Sequence, residues 1–178
     1  IPERAIAEIE PISFVEGAVA NVLVTGHVGD HVSLRVNGKV DASTTATDMV
    51  MNLGIAYLPR FLKPEAREIL MVGWGSGTSP GALIQVPGTK VVCAEIEPAI
   101  VAASEYFESV NRSAHESPDV EILFDDGRSH LQGTDRTYDM ILTEPSNPWM
   151  VGISNLFTIE FYRAAAERLR DDLSLIHI

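Results

Sequence analysis

A glycine-rich loop follows an apolar strand pattern near the middle of the chain. The loop Gly73-Trp74-Gly75-Ser76-Gly77 comes directly after Ile69-Leu70-Met71-Val72. Glycine permits a sharp turn from a strand into a helix and lets a ligand approach the backbone, and the start of the helix offers unpaired N–H groups. The loop therefore predicts either a nucleotide site on a strand–turn–helix unit or a tight turn without a ligand.

Strand and helix patterns alternate from this loop onward. Short apolar runs predict strands at 68–72, 90–95, 120–124 and 138–142, and helices are predicted at 80–85, 98–107, 127–131 and 158–170. Such alternation is typical of a parallel sheet with helices on both faces. We therefore predict a Rossmann-like, doubly wound α/β fold of the class I methyltransferase type. In these folds, ligands bind beyond the carboxyl ends of the strands.

The residues before the loop have a different pattern. Residues 21–25 and 31–36 alternate like strands, and Asn37-Gly38 predicts a tight turn before a short returning strand at 40–42. From Asp48 the pattern is helical until Pro59 and Pro64 interrupt it. The apolar face of this helix is predicted to contain Met49, Leu53, Ala56 and Tyr57. We predict a small antiparallel β-domain at 1–47 and a Rossmann-like catalytic domain at 48–178.

Composition excludes some functions. The chain has 25 acidic residues against 13 Lys and Arg, for a net charge of −12. Because no basic run is longer than a pair, we expect no nucleic-acid binding. No stretch reaches the roughly 18 uncharged apolar residues of a membrane span, so these residues predict no membrane contact. The single Cys93 is typical of a reducing compartment, and we expect a cytoplasmic location.

The two ends of the sequence suggest a fragment. The chain starts at Ile1 rather than at Met, and it stops soon after a helical pattern. From this we expect the last strands of a complete sheet to be absent.

Acidic residues follow two of the predicted strands. Glu95 ends the second strand, 18 residues after Gly77, where a carboxylate can accept hydrogen bonds from both ribose hydroxyls. Asp126-Gly127 follows the third strand, and Asp126 either faces an adenine amino group or caps the next helix. Glu97, next to Pro98, is interpreted as complementing the start of a helix.

The fourth strand ends in an unusual run, Thr143-Glu144-Pro145-Ser146-Asn147-Pro148-Trp149. Glu144 stands where the strand meets the expected cleft, so it either takes a proton from an attacking nucleophile or accepts hydrogen bonds from loop amides. Trp149 either forms a wall of the cleft or covers the edge of the sheet. Thr78 replaces the third glycine of the nicotinamide fingerprint, which counts against a dehydrogenase.

Several motifs in order resemble one family. They are 37–44, Asp48, the loop 73–77, Glu95-Ile96-Glu97, Asp126-Gly127, 138–148, Leu156-Phe157 and Phe161-Tyr162. Over about 14–169 the chain resembles the spermidine synthases (polyamine aminopropyltransferases), and most of all the branch in which this domain follows a membrane-embedded N-terminal region. The resemblance implies transfer of an aminopropyl group from decarboxylated S-adenosylmethionine, as co-substrate, to a polyamine such as putrescine, with methylthioadenosine as product.

The resemblance also implies roles for individual residues. Gly73, Gly75, Ser76 and Gly77 match the donor loop, Glu95 the acid that holds the ribose, and Asp126-Gly127 the place that faces the adenine. Glu144 is the candidate catalytic residue, and Asp48 and Asn147 are the candidate substrate-binding residues. No metal ion and no prosthetic group is expected, and the resemblance leaves room for a homodimer and for a membrane anchor of the full-length protein in a missing N-terminal region.

Three positions depart from the family pattern. The family usually has Asp where this chain has Ser76, Glu144 and Asn147, and its carboxylates bind cationic amines. The side chain of Asn147 is a neutral amide, which can orient an amine but cannot balance its charge. Two alternatives therefore stay open: a methyltransferase that uses S-adenosylmethionine itself, and a nucleoside-binding domain with impaired catalysis. Met71 weighs against the methyltransferase alternative, because many methyltransferases have an acidic residue at this position, two residues before the first glycine of the loop.

Overall fold

A computed structural model describes residues 9–27, 31–143, 153–170 and 175–177. The first four strands form an antiparallel sheet in sequential order: β1 Ile9–Glu16, β2 Asn21–His27, β3 His31–Val36 and β4 Lys39–Ser43. Asn37 and Gly38 both have positive φ, of 50° and 84°, as a tight two-residue hairpin turn requires. The predicted strands β2, β3 and β4 are confirmed, whereas β1 was not predicted from the sequence.

The remaining strands form a parallel sheet. They are β5 Glu68–Val72, β6 Lys90–Ala94, β7 Val120–Leu123, β8 Met140–Thr143 and β9 Leu175–His177, in the spatial order β7-β6-β5-β8-β9. Strand order reverses at β5, and this reversal opens a crevice at the carboxyl ends of β5 and β8. The predicted doubly wound fold is confirmed. Strand β9, which follows the final helix, was not predicted from the sequence.

Helices connect these strands. They are α1 Ala46–Leu62, α2 Thr78–Leu83, α3 Pro98–Ala102, α4 Glu108–Asn111, α5 Gly127–Gly133 and α6 Ile159–Arg168. The predicted helix at 98–107 is α only as far as Ala102, because a 3-10 turn, Ala103–Phe107, follows it. Thr158 caps α6 as predicted, by accepting a hydrogen bond from the Phe161 amide.

Helix α1 differs from its prediction. It starts after Thr45 and continues through Pro59 to Leu62, so the proline does not end it. Pro59 is buried beside Ile55 and Ala56, whereas Tyr57, predicted on the apolar face, is 43% exposed. Tertiary packing of this face therefore outweighs the helix-breaking preference of proline.

One hydrophobic core is shared by the two sheets. Val24 and Leu34 of the antiparallel sheet belong to the same buried cluster as Trp74 and Phe107. A second cluster, with Leu70, Tyr138 and Phe161, fills the other face of the parallel sheet. The packing of β2 and β3 on the first cluster fixes the antiparallel sheet against the side of the crevice. Within the described ranges, no helix has the length and apolar character needed to cross a bilayer.

Candidate functional site

A cavity of about 230 Å³ lies between the antiparallel sheet and the carboxyl ends of the parallel strands. Gly73, Gly75 and Trp74 of the glycine loop line it. Its polar and charged side chains come from both sheets and from α1, and they include Asn37, Lys39, Asp41, Asn52, Glu95, Glu97, Asp125 and Asp126. The loop, Glu95 and Asp126 therefore converge on one space.

The loop glycines adopt backbone conformations that other residues reach only with strain. Gly73, Gly75 and Gly77 have φ values of 95°, 58° and 78°. A Cβ added at Gly73 or Gly75 would meet nothing within 4 Å, because these two residues face the open cavity. The backbone of the loop is thus accessible to a ligand at these two positions.

Two loop residues assigned to the donor from the sequence lie outside the cavity lining. The Ser76 hydroxyl is 2.8 Å from the Thr78 hydroxyl and the residue is only 2% exposed, so its side chain faces the interior. At Gly77, a Cβ would come within 2.8 Å of the Trp74 ring. These two residues shape the start of α2 and do not face the space that a ligand would occupy.

Glu95 is one of two deeply buried acids that line the cavity. It is 5% exposed, and its two oxygens each accept a backbone hydrogen bond of 2.8 Å, from Trp74 and from Glu97. Burial raises the pKa of Glu95 above its ordinary value of 4.5 against these two hydrogen bonds, and the charge of Asp41 raises it further. A carboxylate has about four lone-pair sites, so each Glu95 oxygen retains capacity for a ligand hydroxyl.

Glu97 accepts more backbone hydrogen bonds than the helix cap predicted from the sequence. It caps α3 by accepting a hydrogen bond of 3.0 Å from the Ala99 amide, as interpreted from Pro98. It also accepts hydrogen bonds from the amides of Val19 at 2.6 Å and Ala20 at 3.0 Å. Burial alone would raise the pKa of Glu97, but the three amides outweigh it and hold the pKa below its ordinary value.

Asp126 performs one of its two predicted roles within the chain itself. Its carboxylate accepts hydrogen bonds of 3.0 Å from the Ser129 amide and hydroxyl, so it caps α5. It also lines the cavity, together with Asp125. At Gly127 a Cβ would collide with the Val72 side chain, so glycine lets α5 pack closely against β5.

Asp48 does not line the cavity. Its carboxylate accepts a hydrogen bond of 2.5 Å from the Ser43 hydroxyl at the start of α1. Asn52, one turn further along the helix, lines the cavity instead, and its amide donates to the Asp48 carbonyl at 2.8 Å. Residues four apart lie on one helix face, so the 3.6-residue period from Asp48 could have identified Asn52.

Glu144 and Asn147, like Trp149, lie outside the described residues. Thr143, which precedes Glu144, lines the cavity at the end of β8. Its hydroxyl is buried and has no hydrogen-bond partner among the described residues. The last described residue of β8 therefore brings a buried hydroxyl to the cavity lining.

Acidic side chains dominate the cavity. Asp41, Glu95, Glu97, Asp125 and Asp126 line it, and Lys39 is the single basic residue among the described lining residues. Carboxylates gathered in a partly enclosed space attract cations. The chemistry of the lining therefore fits a ligand with both nucleoside hydroxyls and positive charge.

A larger hollow, of about 460 Å³, lies at the amino ends of the parallel strands. Two of its ion pairs are Lys90 with Asp119 at 2.5 Å and Arg136 with Glu121 at 2.6 Å. Ligands of open parallel sheets bind at the carboxyl ends, so this hollow is not the candidate site.

Comparisons with known proteins agree with the geometry. The family model of the spermine/spermidine synthase domain matches residues 49–177. This chain belongs to that family. The resemblance to the spermidine synthase family, inferred from the order of motifs, is therefore confirmed.

Curated relatives of this spermidine synthase family member are named polyamine aminopropyltransferases. The protein from Thermoanaerobacter sp. (strain X514) is 29% identical over 131 residues, which cover 73% of this chain and 47% of that protein. The protein from Moorella thermoacetica is 32% identical over 120 residues, which cover 66% of this chain and 42% of that protein. The chain thus spans about half the length of the curated relatives that it matches, or slightly less.

Solved structures agree on the fold. A spermidine synthase in complex with the transition-state analogue AdoDATO has a TM-score of 0.82 at 19% identity, covering 90% of this chain and 55% of that one. The spermidine synthase from Thermotoga maritima has a TM-score of 0.80 at 19% identity, covering 91% of this chain and 54% of that one. The Rossmann-like fold with a small antiparallel sheet is therefore the fold of this family.

Proposed function

We propose that the full-length protein transfers an aminopropyl group from decarboxylated S-adenosylmethionine to an amine such as putrescine. The observation that carries this proposal is the acidic cavity, in which an open glycine loop and the buried Glu95 converge at the carboxyl ends of a parallel sheet. Family membership and the names of the curated relatives support the same reaction. Decarboxylated S-adenosylmethionine and polyamines are both cationic, as the excess of carboxylates in the cavity favours.

The donor is proposed to lie with its nucleoside against the parallel sheet. The open backbone at Gly73 and Gly75 gives the ligand close access, and the free lone pairs of Glu95 accept hydrogen bonds from the ribose hydroxyls. Asp126, which lines the same cavity, accepts from the adenine amino group. Asp41 is proposed to balance positive charge on the opposite wall of the cavity. It was not among the site residues predicted from the sequence.

The proposed reaction is a nucleophilic substitution. The nitrogen lone pair of the acceptor amine attacks the methylene carbon beside the sulfonium, a C–N bond forms, and the C–S bond breaks with its electron pair going to sulfur. This releases neutral methylthioadenosine, and the proton lost by the amine goes to a base, for which we propose Glu144. Because the sulfonium is already a good leaving group, the protein contributes mainly orientation and deprotonation of the amine.

A binding and product assay of the full-length protein tests this function. We expect calorimetric titration to detect methylthioadenosine binding, and chromatography to detect an aminopropylated product with putrescine, cadaverine or spermidine. Glu144→Gln should retain nucleoside binding and lose turnover, whereas Asp41→Asn should raise the KM of a cationic substrate. A preference for S-adenosylmethionine over its decarboxylated form would contradict aminopropyl transfer and favour a methyltransferase. Binding without any amine product would leave only a nucleoside-binding domain.

Four assignments are proposals that accompany this function. They are Asn147 as a residue that orients the amine, the division into domains at residues 47 and 48, a homodimer and a cytoplasmic location. Sedimentation velocity of the full-length protein tests the homodimer, because a dimer sediments faster than a monomer of the same chain.

A further inference from the structure

Hydrogen bonds from backbone amides to two carboxylates join the glycine loop to the first hairpin turn. The Trp74 amide donates to one oxygen of Glu95, and the Glu97 amide donates to the other, both at 2.8 Å. The Glu97 side chain then accepts from the amides of Val19 and Ala20, in the turn between β1 and β2. Three segments far apart in sequence therefore meet through Glu95 and Glu97.

We propose that Glu97 is a positioning residue of the cavity, whose carboxylate holds the β1–β2 turn in place as a wall of the nucleoside site. The inference rests on the proposed function, because the wall matters for a nucleoside bound at Glu95. The Glu97 carboxylate acts through the turn, and the Glu97 backbone amide separately holds the Glu95 carboxylate.

The contacts of Glu97 are those of a fixed residue. It is 2% exposed, and the hydrogen bonds that its carboxylate accepts come from the backbone amides of Val19, Ala20 and Ala99. Hydrogen bonds to an ionised acceptor are roughly twice as strong as neutral ones, so the two from Val19 and Ala20 fix the turn to Glu97, and the third, from Ala99, fixes Glu97 to α3. A Cβ at Gly17 would collide with the Glu97 carboxylate, which shows how closely the turn approaches it.

The turn that Glu97 holds is part of the cavity. Val19, Ala20 and Ile96 line the cavity together with Glu95 and Glu97. Displacement of the turn would let water into the cavity at this wall and would leave the side next to Glu95 without a fixed boundary. Loss of the Glu97 carboxylate is therefore expected to weaken nucleoside binding in a protein that remains folded.

Glu97→Gln in the full-length protein tests this proposal. The Val19 and Ala20 amides donate to one Glu97 oxygen and the Ala99 amide donates to the other, so the single glutamine oxygen loses one of these two sets, and the bonds that remain are no longer made to an ionised acceptor. We expect faster hydrogen exchange at the Val19 and Ala20 amides and about a tenfold rise in the Kd of methylthioadenosine, the size of one lost charge-assisted hydrogen bond. The matched control is Glu121→Gln, which removes a carboxylate paired with Arg136 far from the cavity and should change neither quantity.

A second variant tests the same contact from the turn. Gly17→Ala should displace the Glu97 carboxylate and weaken methylthioadenosine binding in the same direction. Combining Gly17→Ala with Glu97→Asp, whose arm is one methylene shorter, should cost less affinity than the product of the two single effects. Gly17→Ala also provides the test if Glu97→Gln does not fold.

The outcomes separate this inference from the proposed function. If the wild-type protein binds methylthioadenosine and both Glu97→Gln and Gly17→Ala bind it equally well, the positioning role is wrong and the proposed function stands. Unchanged hydrogen exchange at Val19 and Ala20 in Glu97→Gln would also overturn the role. If the wild-type protein does not bind methylthioadenosine at all, both proposals fail.

Discussion

Replacement of Glu95 by glutamine tests the donor site most directly. Each Glu95 oxygen already accepts one backbone hydrogen bond of 2.8 Å, and its remaining lone pairs are the proposed acceptors for the ribose. Glutamine keeps one acceptor oxygen and turns an NH2 group towards either the Trp74 or the Glu97 amide. The loss of one charge-assisted ribose hydrogen bond should cost about 1.5–3 kcal/mol of binding free energy. The Kd of methylthioadenosine should therefore rise by roughly 10- to 150-fold.

The assay is calorimetric titration at a pH where the wild-type protein is folded, with thermal unfolding as a check on integrity. One buried amide left without an acceptor should also destabilise the protein by about 1–3 kcal/mol, partly offset because the buried charge is removed. Glu121→Gln is the matched control and should bind like the wild type. A folded Glu95→Gln variant whose Kd stays within twofold of the wild-type value would refute the assignment of Glu95 to the ribose.

Two further predictions concern the loop and pH. Gly75→Ala places a methyl group in the open cavity at a residue whose φ is 58°. This substitution should cost about 1–2 kcal/mol of stability and should weaken methylthioadenosine binding, measured by calorimetry. Unchanged affinity would count against the assignment of the loop to the nucleoside. Gly54→Ala, also open but within α1, is its control and should leave affinity unchanged. Because the pKa of Glu97 lies below 4.5, its ionised form stabilises the fold above that pH, and this contribution is lost as pH falls through the folded-state pKa. The difference in unfolding temperature between wild type and Glu97→Gln should therefore shrink from pH 7 to pH 3, and a constant difference would contradict this.

Local patterns predicted the parallel sheet and the side of the cavity that belongs to it. The glycine loop and Glu95 were identifiable because each follows directly from a strand, and a parallel sheet brings the carboxyl ends of its strands to one edge. Ser76 and Asp48 were assigned by position in a motif. Their side chains face away from the cavity, because hydrogen bonds to Thr78 and Ser43 hold them elsewhere.

The remaining site residues depend on contacts between distant segments. Glu97 and Val19 are 78 residues apart, and no periodicity connects them. Asp41 lies on a strand of the antiparallel sheet, and only the packing of that sheet against the crevice brings it to the cavity. Pro59 remained helical for the same reason, since burial of α1 outweighed its local preference.

The cavity has walls of two different origins. Its nucleoside side consists of loop backbone, where substitution is limited by left-handed φ angles at Gly73 and Gly75. Its opposite side carries Lys39 and Asp41 on β4, which pairs with β3 through main-chain hydrogen bonds that tolerate many side chains. In the proposed aminopropyl transfer, point substitutions at Lys39 and Asp41 would therefore alter which amine is selected without changing the side proposed for the nucleoside, which gives protein engineers and natural variation the same short segment to work on.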